Sequence, residues 1–265
     1  MSTLSPNFNR RHEDIMAITL SSGEPGSQQP GNNSASTGVI VTIDGTAGTG
    51  KSTVAKMLAN RLEFDFLDTG AMYRAAALLS ITHGLAADHP LELLEVVKRA
   101  NLHFDWSLPT PHICVFGQNV EGLIRTKPVT ARVREIALIP ELRNHLVRLQ
   151  RLIGLQRPRL VTEGRDQGTA VFGSAPVKFF LDADLRLRAE RRKRQVRDLA
   201  DTQIAEIMVE LDARDLSDRS DLGGLREPAD ALKLENNSDD PSVIVETMAQ
   251  VVRNRMDALG LSGNS

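Results

Sequence analysis

The stretch Ile43-Asp-Gly-Thr-Ala-Gly-Thr-Gly-Lys-Ser-Thr-Val-Ala-Lys-Met-Leu58 constrains the fold more than any other part of the chain. Residues 39–43 (VIVTI) precede its loop and read as a short apolar strand. Residues 52–62 (STVAKMLANRL) follow with Val54, Met57, Leu58 and Leu62 at helical spacing. Between the two, Gly45 to Ser52 fits G-x-x-x-x-G-K-[ST], in the strand-to-helix context where that spacing carries chemistry. Glycines let backbone N–H groups converge on a phosphate with no Cβ in the way. The positive end of the following helix adds to the same anion site. Gly45, Thr46, Ala47, Gly48, Thr49, Gly50, Lys51, Ser52 and Thr53 are therefore the predicted nucleotide-binding residues. Lys51 is placed to reach the β- and γ-phosphates, and the Ser52 hydroxyl to ligand Mg²⁺.

Short apolar runs alternate with helical patterns along the rest of the chain. Strands are predicted at 64–68 (FDFLD), 159–164 (RLVTEG), 177–183 (VKFFLDA) and 231–236 (ALKLEN), and helices at 72–84 and about 241–259. That alternation means right-handed βαβ units and an α/β fold with a doubly wound parallel sheet. Two segments break the rhythm. Residues 102–124 read as two or three short antiparallel strands punctuated by Pro109, Pro111 and Gly117, a small insertion between core elements. Residues 186–198 (RLRAERRKRQVRD) form a helix with a densely basic exposed face, followed by a second helical stretch to about Asp212.

The ends and the composition bound the remaining possibilities. Residues 1–37 read as a disordered tail, because 21–38 hold no bulky apolar side chain to offset the entropy of ordering. The opening residues also lack the apolar core of a secretory signal. A domain over 38–260 remains, with 261–265 as a flexible end. The 265 residues are 41% apolar, enough for a proper core. With 32 basic and 34 acidic residues the net charge is −2, which excludes a general nucleic-acid or membrane-surface role. No run approaches the roughly 20 apolar residues of a membrane span. The single cysteine, Cys114, excludes an internal disulfide framework and suits a reducing, cytoplasmic setting. A monomer is expected.

A bound triphosphate leaves its acceptor open: water, a small metabolite or another nucleotide. A GTPase would carry an N/T-K-x-D base-reading motif; the nearest approach, TKPV at 126–129, lacks the aspartate.

From LDTGAMYRAAAL (67–78) onward the sequence resembles the bacterial cytidylate kinases, nucleoside-monophosphate kinases. The likeness continues through IRTKPV (124–129), IPELRNHLVRLQR (139–151), VTEGRDQGTAVFGSAPVKFFLDAD (161–184), RAERRKRQ (188–195), RDLSDRS (214–220) and PADALKLEN (228–236). It implies a P-loop NTPase fold, three layers α/β/α, with a five-stranded parallel sheet of order 2-3-1-4-5. It also implies a monophosphate-binding insertion over about 75–130 and a helical lid over about 186–220. The expected activity is transfer of a phosphoryl group from ATP, with Mg²⁺, to CMP or dCMP.

The residues make chemical sense in those roles. Asp68 and Thr69 close the second strand at the carboxyl edge, where open α/β sheets bind ligands. Arg74 offers a bidentate fork for an acceptor phosphate, and by resemblance Thr69, Tyr73, Arg74 and Arg143 line the acceptor site. Arg165 and Asp166 close the third strand and are assigned to the acceptor nucleotide, with Glu163 helping to position the magnesium shell. Phosphoryl transfer between polyanions needs positioned positive charge and excluded water. The resemblance therefore implies Arg188 and Arg192 as lid arginines, with Arg214 beyond them and Asp218 as a ribose or charge-orienting partner. Two positions depart from the family pattern. Its base-reading serine, nine residues before Arg143, falls on Arg134, and its last acceptor-site arginine falls on Asp221. Altered or relaxed acceptor choice, including UMP, and a nucleotide-binding regulator impaired in transfer are the competing readings.

Overall fold

The computed structural model describes residues 38–108, 110–195, 199–220 and 224–261. The tail read over 1–37, Asp221 and the last four residues lie outside that range. The chain divides into two compact units, whose described parts are 70–148 and 38–69 with 149–261.

The larger unit is built on a parallel sheet. Its strands are β1 (Val39–Gly45), β2 (Asp65–Asp68), β6 (Arg159–Glu163), β7 (Val177–Asp182) and β8 (Leu232–Glu235), in the order β2-β6-β1-β7-β8. Counted along the core this is 2-3-1-4-5, the expected order. Register is fixed on both sides of the central strand, where Val41 faces Val161 of β6 and Val177 of β7. Side chains alternate across a strand, so Val39, Val41 and Ile43 of β1, Val161 of β6 and Val177, Phe179 and Leu181 of β7 turn to one face. Helix α1 (Lys51–Leu62) covers that face with Val54, Ala55, Leu58 and Ala59. Helix α8 (Pro241–Ala258) covers it with Val245, Met248, Ala249 and Val252. Both sets follow the one-turn spacing that gives a helix an apolar stripe. Each fully buried Leu or Met contributes about 1.5–3 kcal/mol. The end of helix α5 (Pro140–Gln156) closes on the opposite side of the sheet, where a Cβ on Gly154 would stand 2.6 Å from the Phe172 ring and 3.1 Å from Ile40. The remaining helices of this unit are α6 (Leu185–Gln195) and α7 (Ile204–Arg219).

The smaller unit holds most of α2 (Thr69–Thr82), then α3 (Pro90–Arg99), α4 (Lys127–Ile136) and the first turns of α5. It also carries an antiparallel sheet of β3 (His103–Asp105), β4 (His112–Val115) and β5 (Gln118–Asn119). The β4–β5 hairpin turns on Phe116 and Gly117, both at positive φ (50° and 73°), which matches the twist of the flanking strands. Cys114 is buried in β4.

Several boundaries moved from the sequence reading. Helix α2 begins at Thr69, directly after the strand, so Thr69 and Gly70 are its first residues. Helix α7 runs past Asp212 to Arg219, since no proline or glycine interrupts it. Among the described residues no helix is long and apolar enough to cross a membrane.

Candidate active site

The loop between β1 and α1 is shaped by close approach. Gly45 has φ 148°, and a Cβ there would fall 2.0 Å from the Leu181 carbonyl oxygen of β7, so only glycine fits. Gly50, at φ 87°, sits before α1 with no side-chain cap, and the first turn of α1 holds no acidic residue. The N–H groups at that end lack the partners a cap supplies, which leaves them for an external anion.

Four bonds brace the loop. Thr46 Oγ1 donates to Asp182 Oδ1 (3.2 Å) and Thr49 Oγ1 to the Thr46 carbonyl (3.1 Å). Lys51 Nζ donates to that same carbonyl (2.5 Å), and Asn236 Nδ2 to the Thr49 carbonyl (2.8 Å). Lys51 is buried, and burial pushes its pKa down to about 7; the Arg165 and Arg214 charges push the same way, against the Glu163 carboxylate. An ammonium held among guanidinium groups gains from any anion that enters. The loop therefore fits a polyphosphate.

The hydroxyl predicted to hold magnesium is positioned by a carboxylate. Ser52 Oγ donates to Glu163 Oε1 at 2.7 Å, and Thr69 Oγ1 donates to the Glu163 carbonyl at 2.7 Å. Burial pushes the Glu163 carboxyl above its ordinary range, and the nearby Asp68 carboxylate adds to the rise. A hydroxyl between hard oxygen donors suits Mg²⁺. Among the described residues no three His, Cys, Asp or Glu side chains gather into a metal cluster. Ser52 and Thr53 are exposed, whereas Thr46 and Thr49 are buried.

The arginines follow. Arg165 Nε donates to Asp218 Oδ2 at 2.8 Å, and Arg214, one turn before Asp218 on α7, lies 3.8 Å from the same oxygen. Asp218 thus orients two guanidinium groups. Each side chain is about a quarter exposed, so the pairs are worth about 1 kcal/mol or less in stability, and their value is positional. Arg188, named from the sequence as a lid arginine, stands apart from the other basic residues of its helix. It does not lie on an exposed basic face but is buried, donating from Nη1 to Asp215 Oδ2 (2.6 Å) and to the Ala47 carbonyl of the loop (3.1 Å). A small cluster of Ala47, Ala189, Ile207 and Leu211 joins loop, α6 and α7. Arg192, one turn along α6, is half-buried.

In the smaller unit, Arg74 Nη1 donates to Thr130 Oγ1 (2.9 Å); Tyr73 and Arg143 are half-buried, and Arg134 is exposed near the end of α4.

Around Asp166, which the sequence reading named, the larger unit also gathers residues that it passed over, Asp44, Gln167 and Gly168 among them. Asp166 is buried, and its carbonyl accepts from the amides of Thr169, Ala170 and Val171, opening a one-turn π-helix over Gln167–Val171. The amides of Gln167 and Gly168 donate to the two carboxylate oxygens of Asp44, at 2.8 and 2.7 Å. An aspartate ending an apolar strand at the carboxyl edge of the sheet was the available signal. Asp182, Asp215 and Asn236 had no signal of their own.

Comparison with known proteins agrees with this geometry. The family model described as cytidylate kinase matches residues 41–254. A cytidylate kinase of Rhodopirellula baltica is 38% identical over 222 residues, covering 83% of this chain and 95% of that protein. One of Solibacter usitatus is 39% identical over 224 residues, covering 82% and 94%. One of Vibrio parahaemolyticus is 35% identical over 219 residues, covering 82% and 96%.

Proposed function

The chain belongs to the cytidylate kinase family, and from that premise we propose that it transfers the terminal phosphoryl group of ATP to CMP or dCMP. An acceptor phosphate oxygen forms the new bond to the γ-phosphorus as the bond from that phosphorus to the β–γ bridging oxygen breaks. The products are ADP and the cytidine diphosphate. The acceptor oxygen is already ionised, so no general base is needed.

The observation that carries this reading is the meeting of the glycine loop with positive charge. Arg165 and Arg214 both lie against Asp218, the charge of each is felt at Lys51, and Arg188 is bonded to the loop itself. Charge develops on the transferring phosphoryl oxygens, and donors already fixed in place lower the barrier without reorganising. We assign donor-phosphate binding to Gly45–Thr53 and stabilisation of the transferring group to Lys51, Arg188 and Arg192. Acceptor contacts are assigned, each by its own match to the family, to Asp68, Thr69, Tyr73, Arg74, Arg143, Arg165, Asp166, Arg214 and Asp218. Ser52, with Glu163 behind it, would hold Mg²⁺, which supplies charge neutralisation between the phosphates when bound. Roles as a monophosphate-binding region over about 75–130 and a closing lid over about 186–220 complete the assignment.

The test is a panel of monophosphates with ATP and magnesium. CMP and dCMP are expected to lead in kcat/KM. The exposed Arg134, where the family reads the base with a serine, makes the margin over UMP the quantity to measure. Another acceptor in the lead would overturn the cytidine assignment, and no turnover with any acceptor would overturn the kinase reading.

A further inference from the structure

Asp44 takes no part in the chemistry assigned above, yet its placement is unusually constrained. It is fully buried at the end of β1, one residue before the glycine loop. Each of its carboxylate oxygens accepts one backbone N–H, from Gln167 at 2.8 Å and Gly168 at 2.7 Å. Those two amides follow directly on Arg165 and Asp166. The β1–β6 pairing carries on into the same region, with the Gly164 amide donating to the Ile43 carbonyl at 3.1 Å.

The surroundings leave the turn little freedom except through this carboxylate. A Cβ on Gly168 would stand 2.8 Å from Pro228, 3.0 Å from Thr42 Oγ1 and 3.3 Å from Asp44 Oδ2. The Gln167 side chain accepts from Thr162 Oγ1 (2.9 Å) and donates to Gln150 (3.0 Å) and, at 3.4 Å, to the Asp166 carboxylate. Asp44 is therefore the anion at the start of the π turn, where backbone N–H groups collect. Its own main chain continues into Gly45.

We propose that Asp44 is a positioning residue that ties the donor-phosphate loop to the Arg165–Asp166 turn, holding that turn in the conformation that receives the acceptor nucleotide. The proposal rests on the kinase reading of the site and names a residue beyond it. A carboxylate suits the task because both of its oxygens accept. Asparagine has the same shape but offers one acceptor, and its amide would set N–H against N–H at the other position.

Burial raises the Asp44 pKa to about 6, its two backbone donors oppose the rise, and the charged groups that face it are Asp166, which raises it, and Lys51, which lowers it. The bond pair should therefore weaken as pH falls through that value. An acceptor phosphate also titrates near pH 6, but it does so equally against wild type and variant and cancels between them.

The experiment compares Asp44→Asn with the wild-type chain, measuring kcat and KM for CMP and for ATP between about pH 5.5 and 8. At pH 7.5 the variant is expected to raise the CMP KM by about tenfold or more, the cost of losing one charge-assisted bond, with the ATP KM changed less than about twofold. The variant should also lose the part of the wild-type acid dependence that the acceptor does not supply. A CMP KM equal to wild type, or equal losses for ATP and CMP, would overturn the proposal. In the wild-type chain, the Gln167 and Gly168 amide resonances should move together with one midpoint near pH 6. This readout needs no turnover and stands even where the variant does not fold; amides that do not titrate together would overturn the anchoring. Absence of CMP turnover in wild type with the amides still titrating would count against the kinase reading alone.

Discussion

Asp215→Ala probes the α6–α7 pair directly. Arg188 and Asp215 meet at 2.6 Å with side chains 7% and 10% exposed, so solvent screens little. Removing one member of a buried pair strands the other charge and costs about 3–5 kcal/mol. Arg188 would keep the Ala47 carbonyl, while its Nε already lacks a hydrogen-bond partner among the described residues. The expected loss is therefore near the lower bound, about 3 kcal/mol. At about 2–4 °C per kcal/mol for a chain of this size, Tm falls by about 6–12 °C. Where opening is local to the two helices, the loss appears as faster amide exchange along α7. The double variant Arg188→Met with Asp215→Leu removes both charges, fills the space with apolar groups and recovers most of that stability. Its kcat should nonetheless fall, on the order of 10³-fold, for want of a guanidinium at the transferring phosphoryl. Calorimetry, exchange along α7 and steady-state turnover, measured together, decide the matter. Unchanged melting and exchange in Asp215→Ala would refute the pairing argument. Wild-type kcat in the double variant would remove Arg188 from the transfer step.

Lys51→Met should reduce kcat by at least about 10²–10³-fold with an unchanged circular dichroism spectrum, since a cation disfavoured by burial is replaced by an apolar chain of similar length; near-normal turnover would undo the loop assignment. Glu163→Gln should raise the magnesium concentration for half-maximal activity by about 10–100-fold, read by titrating Mg²⁺ at fixed ATP, and an unmoved midpoint would separate Glu163 from the metal. Asp44 makes a signed prediction for stability. Its folded pKa of about 6 lies above the ordinary 3.8, so the native state binds this proton more tightly than the unfolded chain. Its ionised form is thus penalised above pH 6, and the penalty, about 3 kcal/mol for that gap, is relieved between pH 6 and 3.8. Wild type should gain stability relative to Asp44→Asn over that window as pH falls, measured by urea unfolding; a difference that stays flat would contradict the buried-carboxylate reading.

The sheet was legible in the sequence because its strands are short apolar runs separated by helical patterns, and the family likeness supplied their order. The glycine loop was legible because its chemistry demands small residues and a lysine at fixed spacing. What escaped depends on register. Asp44 and Gly168 are 124 residues apart and meet only because β1 pairs with β6. The partners of Arg188 were hidden for a related reason. A run of basic residues usually marks a solvated face, but this one meets Asp215 and the Ala47 carbonyl, contributed by segments 27 and 141 residues away. The end of α7 was set too early because its last turns, DLSDR, carry little apolar periodicity. Why Arg134 replaces the family's serine has no account in its exposed place on α4.

The bond from Asn236 to the Thr49 carbonyl spans 187 residues, and the one from Thr46 to Asp182 spans 136. A chain still emerging from the ribosome thus exposes its glycine-rich segment early, while the groups that hold it in shape are not yet synthesised. Contacts of such sequence separation form late and slowly, and an unfinished product cut before residue 236 should bind triphosphate poorly even where its central strands have paired.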